Sequence, residues 1–128
     1  MDYLSIFSIF IGGGIGAVLR YLVTVMCRNL FSFPLLGTFC VNLVGCFLIG
    51  YVFGLLLNKS DLIPQALRLF ITVGFLGGLT TFSTFNLEIF ELMKSDKITF
   101  GFLYMIASCL IGLLLTFLGW YLAQKAIA

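Results

Sequence analysis

Gly77-Gly78-Leu79-Thr80-Thr81-Phe82-Ser83-Thr84-Phe85-Asn86-Leu87-Glu88 is the stretch on which the fold turns, because it sets glycines and hydroxyl residues inside an otherwise apolar run. Each glycine weakens a helix by about 1 kcal/mol relative to alanine. The hydroxyls at 80, 81, 83 and 84 compete for nearby backbone groups. The stretch therefore predicts a helix interruption near 77–81. Irregular backbone at membrane depth persists only where protein buries it or where it lines a polar cavity, so these residues are a candidate ion or substrate site.

The surrounding chain supplies the membrane. Of 128 residues, 62% are hydrophobic and only 9% charged, with a mean hydropathy of +1.20; soluble domains do not have this profile. There is no histidine, and the cysteines at 27, 40, 46 and 109 have no metal-type spacing, so they read as small packing residues and no transition-metal site is expected. Asp2 stands where a secretory signal would be basic, so no removable leader is expected. The net charge is only +2, and no nucleic-acid partner is expected.

Outward from the interruption, apolar runs predict helical spans at about 4–27, 35–57, 66–93 and 98–123, each long enough for a hydrocarbon core of about 30 Å. The third is discontinuous. Its two half-helix ends face each other inside the span, one offering N–H groups that favour anions and the other carbonyls that favour cations. The whole chain is a single transmembrane domain of all-α class, with connections too short for an extramembrane domain.

Polar residues within the spans fall at helical spacing. In span one, Gly12 and Gly16 form a small-xxx-small pair whose next step is Arg20; Arg20 reads either as a snorkelling cation or as an anion-attracting vestibule residue. In span two, Thr38 and Asn42 lie four apart on one face, and the amide either joins helices or lines a pore. In span four, Tyr104, Ser108 and Thr116 step by four, with Gly112 at the missing step. This row is about 18 Å long. Any one of its hydroxyls could simply bond its own helix, but the aligned set favours a polar pathway. Four helices are a thin scaffold for such a pathway, so an oligomer is expected.

Orientation is undetermined by charge. Lys59, Arg68 and Lys125 fall on the side of the termini, and Arg28, Lys94 and Lys97 on the other. Short loops without a Lys/Arg bias do not set a topology, which permits insertion both ways and an antiparallel homodimer.

These residues resemble the small four-span fluoride channels called Fluc or CrcB, over essentially the whole chain. The likeness is carried by Gly-Gly-Gly-Ile-Gly at 12–16 followed by Arg20, by Gly-Thr-Phe-Cys-Val-Asn-Leu-Val-Gly at 37–45, and most specifically by Gly-Phe-Leu-Gly-Gly-Leu-Thr-Thr-Phe-Ser-Thr-Phe at 74–85. The resemblance implies a dual-topology antiparallel homodimer in a bacterial-type inner membrane, with two fluoride pores built from both subunits. Phe82 and Phe85 match the family's pore phenylalanines, whose electropositive ring edges face the anion. Asn42 matches the pore amide, and Tyr104, Ser108 and Thr116 the polar track, from which this chain lacks the serine that the family often has at the position of Gly112. Ser83, then Thr38, Thr81 and Thr84, are secondary lining groups. Glu88 governs entry or sits at a solvated helix end. The resemblance also implies a structural sodium ion at the dimer axis, held by backbone carbonyls of Gly77 and Thr80 from both subunits. The implied mechanism is passive electrodiffusion, with an inside-negative potential driving the anion outward.

Two other readings compete, the first on length and span number, the second on small size and the glycine pairs. A small multidrug exporter requires a membrane-embedded carboxylate in the first span, where this chain has Arg20 and no acid. A holin-like structural protein leaves the aligned polar rows unexplained. An intramembrane enzyme needs a nucleophile with a base, or a metal, and the chain offers no such constellation.

Overall fold

The computed structural model describes residues 2–31, 33, 35–59 and 62–127; Pro34 and positions 60–61 of the second connection lie outside them. Among the described residues there is no strand, and four helical runs are long and apolar enough to cross a membrane: Tyr3–Phe31, Leu35–Leu57, Gln65–Lys94 and Ile98–Ile127. The elements are α1 (Tyr3–Phe31), α2 (Leu35–Lys59), α3 (Gln65–Leu69), a π-helical stretch Phe70–Phe75, α4 (Leu76–Leu79), α5 (Phe82–Lys94) and α6 (Ile98–Ile127). The chain is an all-α, multi-pass membrane protein.

The helix ends follow local chemistry. Asp2 starts α1, its carboxylate accepting from Leu4 N at 3.1 Å and from Ser5 Oγ at 2.8 Å, as N-terminal caps do. At the other end of the third span, Ser95 N donates to Glu91 O at 3.0 Å and Lys97 N to Leu92 O at 3.0 Å, with Asp96 at φ 58°. This closes the last carbonyls of α5 and folds α6 back against it.

Two close helix pairs make the scaffold. In one, Gly16 and Gly78 bring α1 onto the third span: a Cβ at Gly16 would overlap the Phe75 carbonyl, and one at Gly78 the Gly13 carbonyl. In the other, a Cβ at Gly50 would overlap the Thr116 carbonyl, and one at Gly119 the Phe47 carbonyl, so α2 and α6 lie backbone to backbone. Such contacts hold helices together in lipid, where apolar surface gains nothing from leaving the solvent. The outer faces stay apolar and uncovered, as at Ile15, Val18, Leu110 and Leu114.

The third span breaks at its middle, at the C-terminal end of the 77–81 interval. Gly77 and Gly78 remain helical in α4, while Thr80 (φ −84°, ψ 155°) and Thr81 (φ −148°, ψ 119°) are extended. Thr80 Oγ1 donates back to Leu76 O at 2.9 Å, the carbonyl that also accepts Thr80 N at 3.0 Å, and the next amide, Thr81 N, leaves the helix ladder for Asn42 Oδ1. Gly78 instead serves the approach to α1.

Candidate functional site

The interruption is held open by Asn42. Its Oδ1 accepts from Thr81 N at 2.8 Å and its Nδ2 donates to Thr81 O at 3.1 Å. The amide thus replaces, for one residue, both ladder bonds that the break removes. Asn42 joins α2 to the third span in this way, and its second N–H is not part of this clasp. Thr81 in turn caps α5, its Oγ1 accepting from Thr84 N at 3.3 Å and donating to Thr84 Oγ1 at 3.1 Å. Ser83 Oγ lies 3.5 Å from the same hydroxyl.

This clasp forms one wall of a groove of about 550 Å³ between α2, the third span and α6. Of the residues singled out by sequence, Asn42, Gly77, Thr80 and Thr81 line it on the break side. Phe82, Phe85, Ser108 and Thr116 line the rest. The two phenylalanine rings are tilted by 39° with centroids 6.2 Å apart; Phe85 is buried, whereas Phe82 is 78% exposed on this single chain. Ser108 Oγ is buried and has no hydrogen-bond partner among the described residues. Thr116 Oγ1 bonds its own helix, donating to Gly112 O at 3.0 Å.

The remaining candidates gather elsewhere. Glu88 is no solvated helix end. It lies within α5, half-buried, and accepts from Thr38 Oγ1 at 2.6 Å and from Tyr104 OH at 2.9 Å. One carboxylate therefore ties α2, α5 and α6 together, and Thr38 is 1% exposed beneath it. Tyr104, expected on the polar track, turns its hydroxyl to Glu88 instead; its ring packs on Phe85 at 5.3 Å. Ser83 and Thr84 belong to the cap of α5 rather than to the groove lining, and Ser83 is exposed. Arg20, half-buried on α1, lies outside the groove; its carbonyl accepts Thr24 Oγ1 at 2.9 Å.

The sequence has counterparts. Residues 7–120 match the family model described as CrcB-like protein, Camphor Resistance (CrcB). The chain belongs to the CrcB family. It is 41% identical over 115 residues to a fluoride-specific ion channel FluC of Pyrococcus horikoshii, covering 90% of this chain and 92% of the relative. It is likewise 41% identical to the proteins of that description from Flavobacterium psychrophilum, covering 94% of this chain and 98% of the relative, and from Aquifex aeolicus, covering 94% and 97%.

Within this CrcB chain, sequence reasoning overlooked two features. The π-helical stretch Phe70–Phe75 widens the third span where Gly74 meets α1, a Cβ there lying 2.8 Å from Ile9 O; Gly74, two residues after Thr72, was the available signal. Cys46, read only as packing, lines the groove against Gly112. Spacing within one helix does not report a neighbour on another.

Proposed function

We propose that this chain is the protomer of a fluoride-selective passive channel that exports cytoplasmic fluoride across a bacterial-type inner membrane. The observation that carries the reading is the buried, unpartnered Ser108 hydroxyl in the groove it shares with the Phe82 and Phe85 rings. A buried donor without a partner is costly, and a small anion would satisfy it. The FluC relatives are named as ion channels, and the family is one of channels rather than enzymes.

The chemistry suits a small, strongly solvated anion. Ring edges carry the positive end of the aromatic quadrupole, the Asn42 amide keeps a free N–H, and the first turn of α5 offers N–H groups at the positive end of a helix dipole. Fluoride would exchange water for these donors, and selection would follow from donor placement and pore width. An inside-negative potential drives the anion outward with about 2.3 kcal/mol per charge per 100 mV. Arg20 would concentrate anions at a mouth without holding them.

The groove is incomplete in one chain, with Phe82 and Ser83 exposed beside it. An antiparallel homodimer with two pores would cover them. Gly77 suits the dimer axis: it is exposed, and a Cβ there meets nothing within 4 Å. It also suits the sodium that the resemblance implies. Because Thr81 N is taken by Asn42, the Gly77 carbonyl loses its donor four residues on and is free for a cation, as is the carbonyl end of a terminated helix generally. Gly77 and Thr80 carbonyls would hold the ion, which would supply a fixed positive charge between paired breaks. Fluoride efflux from liposomes carrying Ser108→Ala tests the reading: a fall of about tenfold is expected for one lost charge-assisted hydrogen bond, and wild-type efflux contradicts it.

A further inference from the structure

The polar residues of α6 step by four through Tyr104, Ser108 and Thr116, and Gly112 leaves one step vacant. Another helix fills it. A Cβ built on Gly112 would lie 3.1 Å from Cys46 Sγ and 3.9 Å from Cys46 Cβ, so the α2 thiol stands where a side chain at 112 would be. Cys46, Ser108, Gly112 and Thr116 line the same groove. On one side of the gap is the buried Ser108 hydroxyl, which has no partner among the described residues. On the other, Thr116 Oγ1 has already given its proton to Gly112 O, so it turns only lone pairs outward. Without the Cys46 thiol, the step at 112 would carry no side-chain donor; the other groove-lining thiol, Cys109, follows Ser108 directly in sequence and lies off the four-residue row.

We propose that Cys46 supplies the group missing from the α6 row: its S–H is a groove-lining donor to the permeating anion, and Gly112 is a glycine because the thiol occupies its side-chain space. The proposal rests on the fluoride-channel reading. It needs no ionised sulfur and no covalent step, since a neutral thiol is a weak donor with a polarisable sulfur. It also makes positions 46 and 112 interdependent. Serine at 112 brings its Cβ inside ordinary contact with Cys46, and removing the thiol makes room for it.

The test is fluoride efflux from liposomes carrying wild type, Cys46→Ala, Cys46→Ser, Gly112→Ser and the double variant Cys46→Ala/Gly112→Ser. Alanine and serine are both smaller than cysteine, so neither overpacks the site. Loss of the donor in Cys46→Ala is expected to slow efflux about tenfold, while Cys46→Ser stays near wild type. Gly112→Ser alone is expected to be slow and the double variant fast, because the hydroxyl then takes over from α6. Wild-type efflux in Cys46→Ala overturns the proposal, as does equal slowing in Cys46→Ser and Cys46→Ala, which would make the thiol a packing group only. A wild-type protein that passes no fluoride at all would instead remove the channel reading on which the proposal stands.

Discussion

Replacing Asn42 with alanine removes the two bonds to Thr81, at 2.8 and 3.1 Å, and leaves a backbone N–H and a C=O unpaired in the middle of a membrane span. In water-soluble proteins each orphaned group costs about 1–3 kcal/mol. The reference state here is an unfolded chain still in the membrane, where such groups find other partners, and interhelical bonds then average about 0.6 kcal/mol with a maximum near 1.7. Two bonds on that scale give about 1–3 kcal/mol, and the membrane value is the better guide because both states are in lipid. Asn42→Asp separates donor from acceptor. It keeps an oxygen for Thr81 N but turns a second oxygen on Thr81 O, so it should cost at least as much as alanine. Reversible unfolding in bicelles reads the stability, and hydrogen exchange at the Thr81 amide reads the local opening, expected to accelerate by about 5–150-fold for that range. Unchanged exchange at Thr81 in Asn42→Ala would refute the clasp as what holds the break.

Other substitutions separate architecture from conduction. Phe82→Ile and Phe85→Ile should both depress fluoride efflux, yet only Phe85, buried with Ile89 and Tyr104, should cost stability, by about 1–2 kcal/mol in thermal unfolding; wild-type efflux in both would remove the role of the rings. Glu88→Ala strands the Thr38 and Tyr104 hydroxyls and should destabilise by about 1–3 kcal/mol on the membrane scale used for Asn42, so an unchanged melting temperature would show that the carboxylate does not bind these helices together. Gly78→Ala drives a methyl into the Gly13 carbonyl and should cost about 1–3 kcal/mol. Gly77→Leu meets open space within the chain and should leave the protomer folded while lowering the cross-linked dimer fraction; an undiminished dimer would place the axis elsewhere.

Within-helix information was legible in the sequence. Hydropathy marked the spans, the 77–88 stretch marked the broken third helix, and the Thr38/Asn42 spacing put two polar side chains on one face. What decided their partners was not legible. Thr38 meets Glu88 and Asn42 meets Thr81, a pairing four residues apart on α2 and seven apart on the third span, which spacing within one helix does not report. Tyr104 and Ser108 likewise diverge from one row of α6: the tyrosine is long enough to reach Glu88, whereas Ser108 Oγ has no partner among the described residues. The glycine pair signalled the right region for two reasons that composition cannot separate, since Gly78 serves close packing and the break belongs to the threonines after it.

The central claim is selective passage of fluoride, and efflux of fluoride and chloride measured side by side from liposomes carrying the purified protein tests it most directly. Rapid fluoride loss with chloride retained is the predicted result. Equal loss of both ions, or retention of fluoride by folded protein, would contradict it.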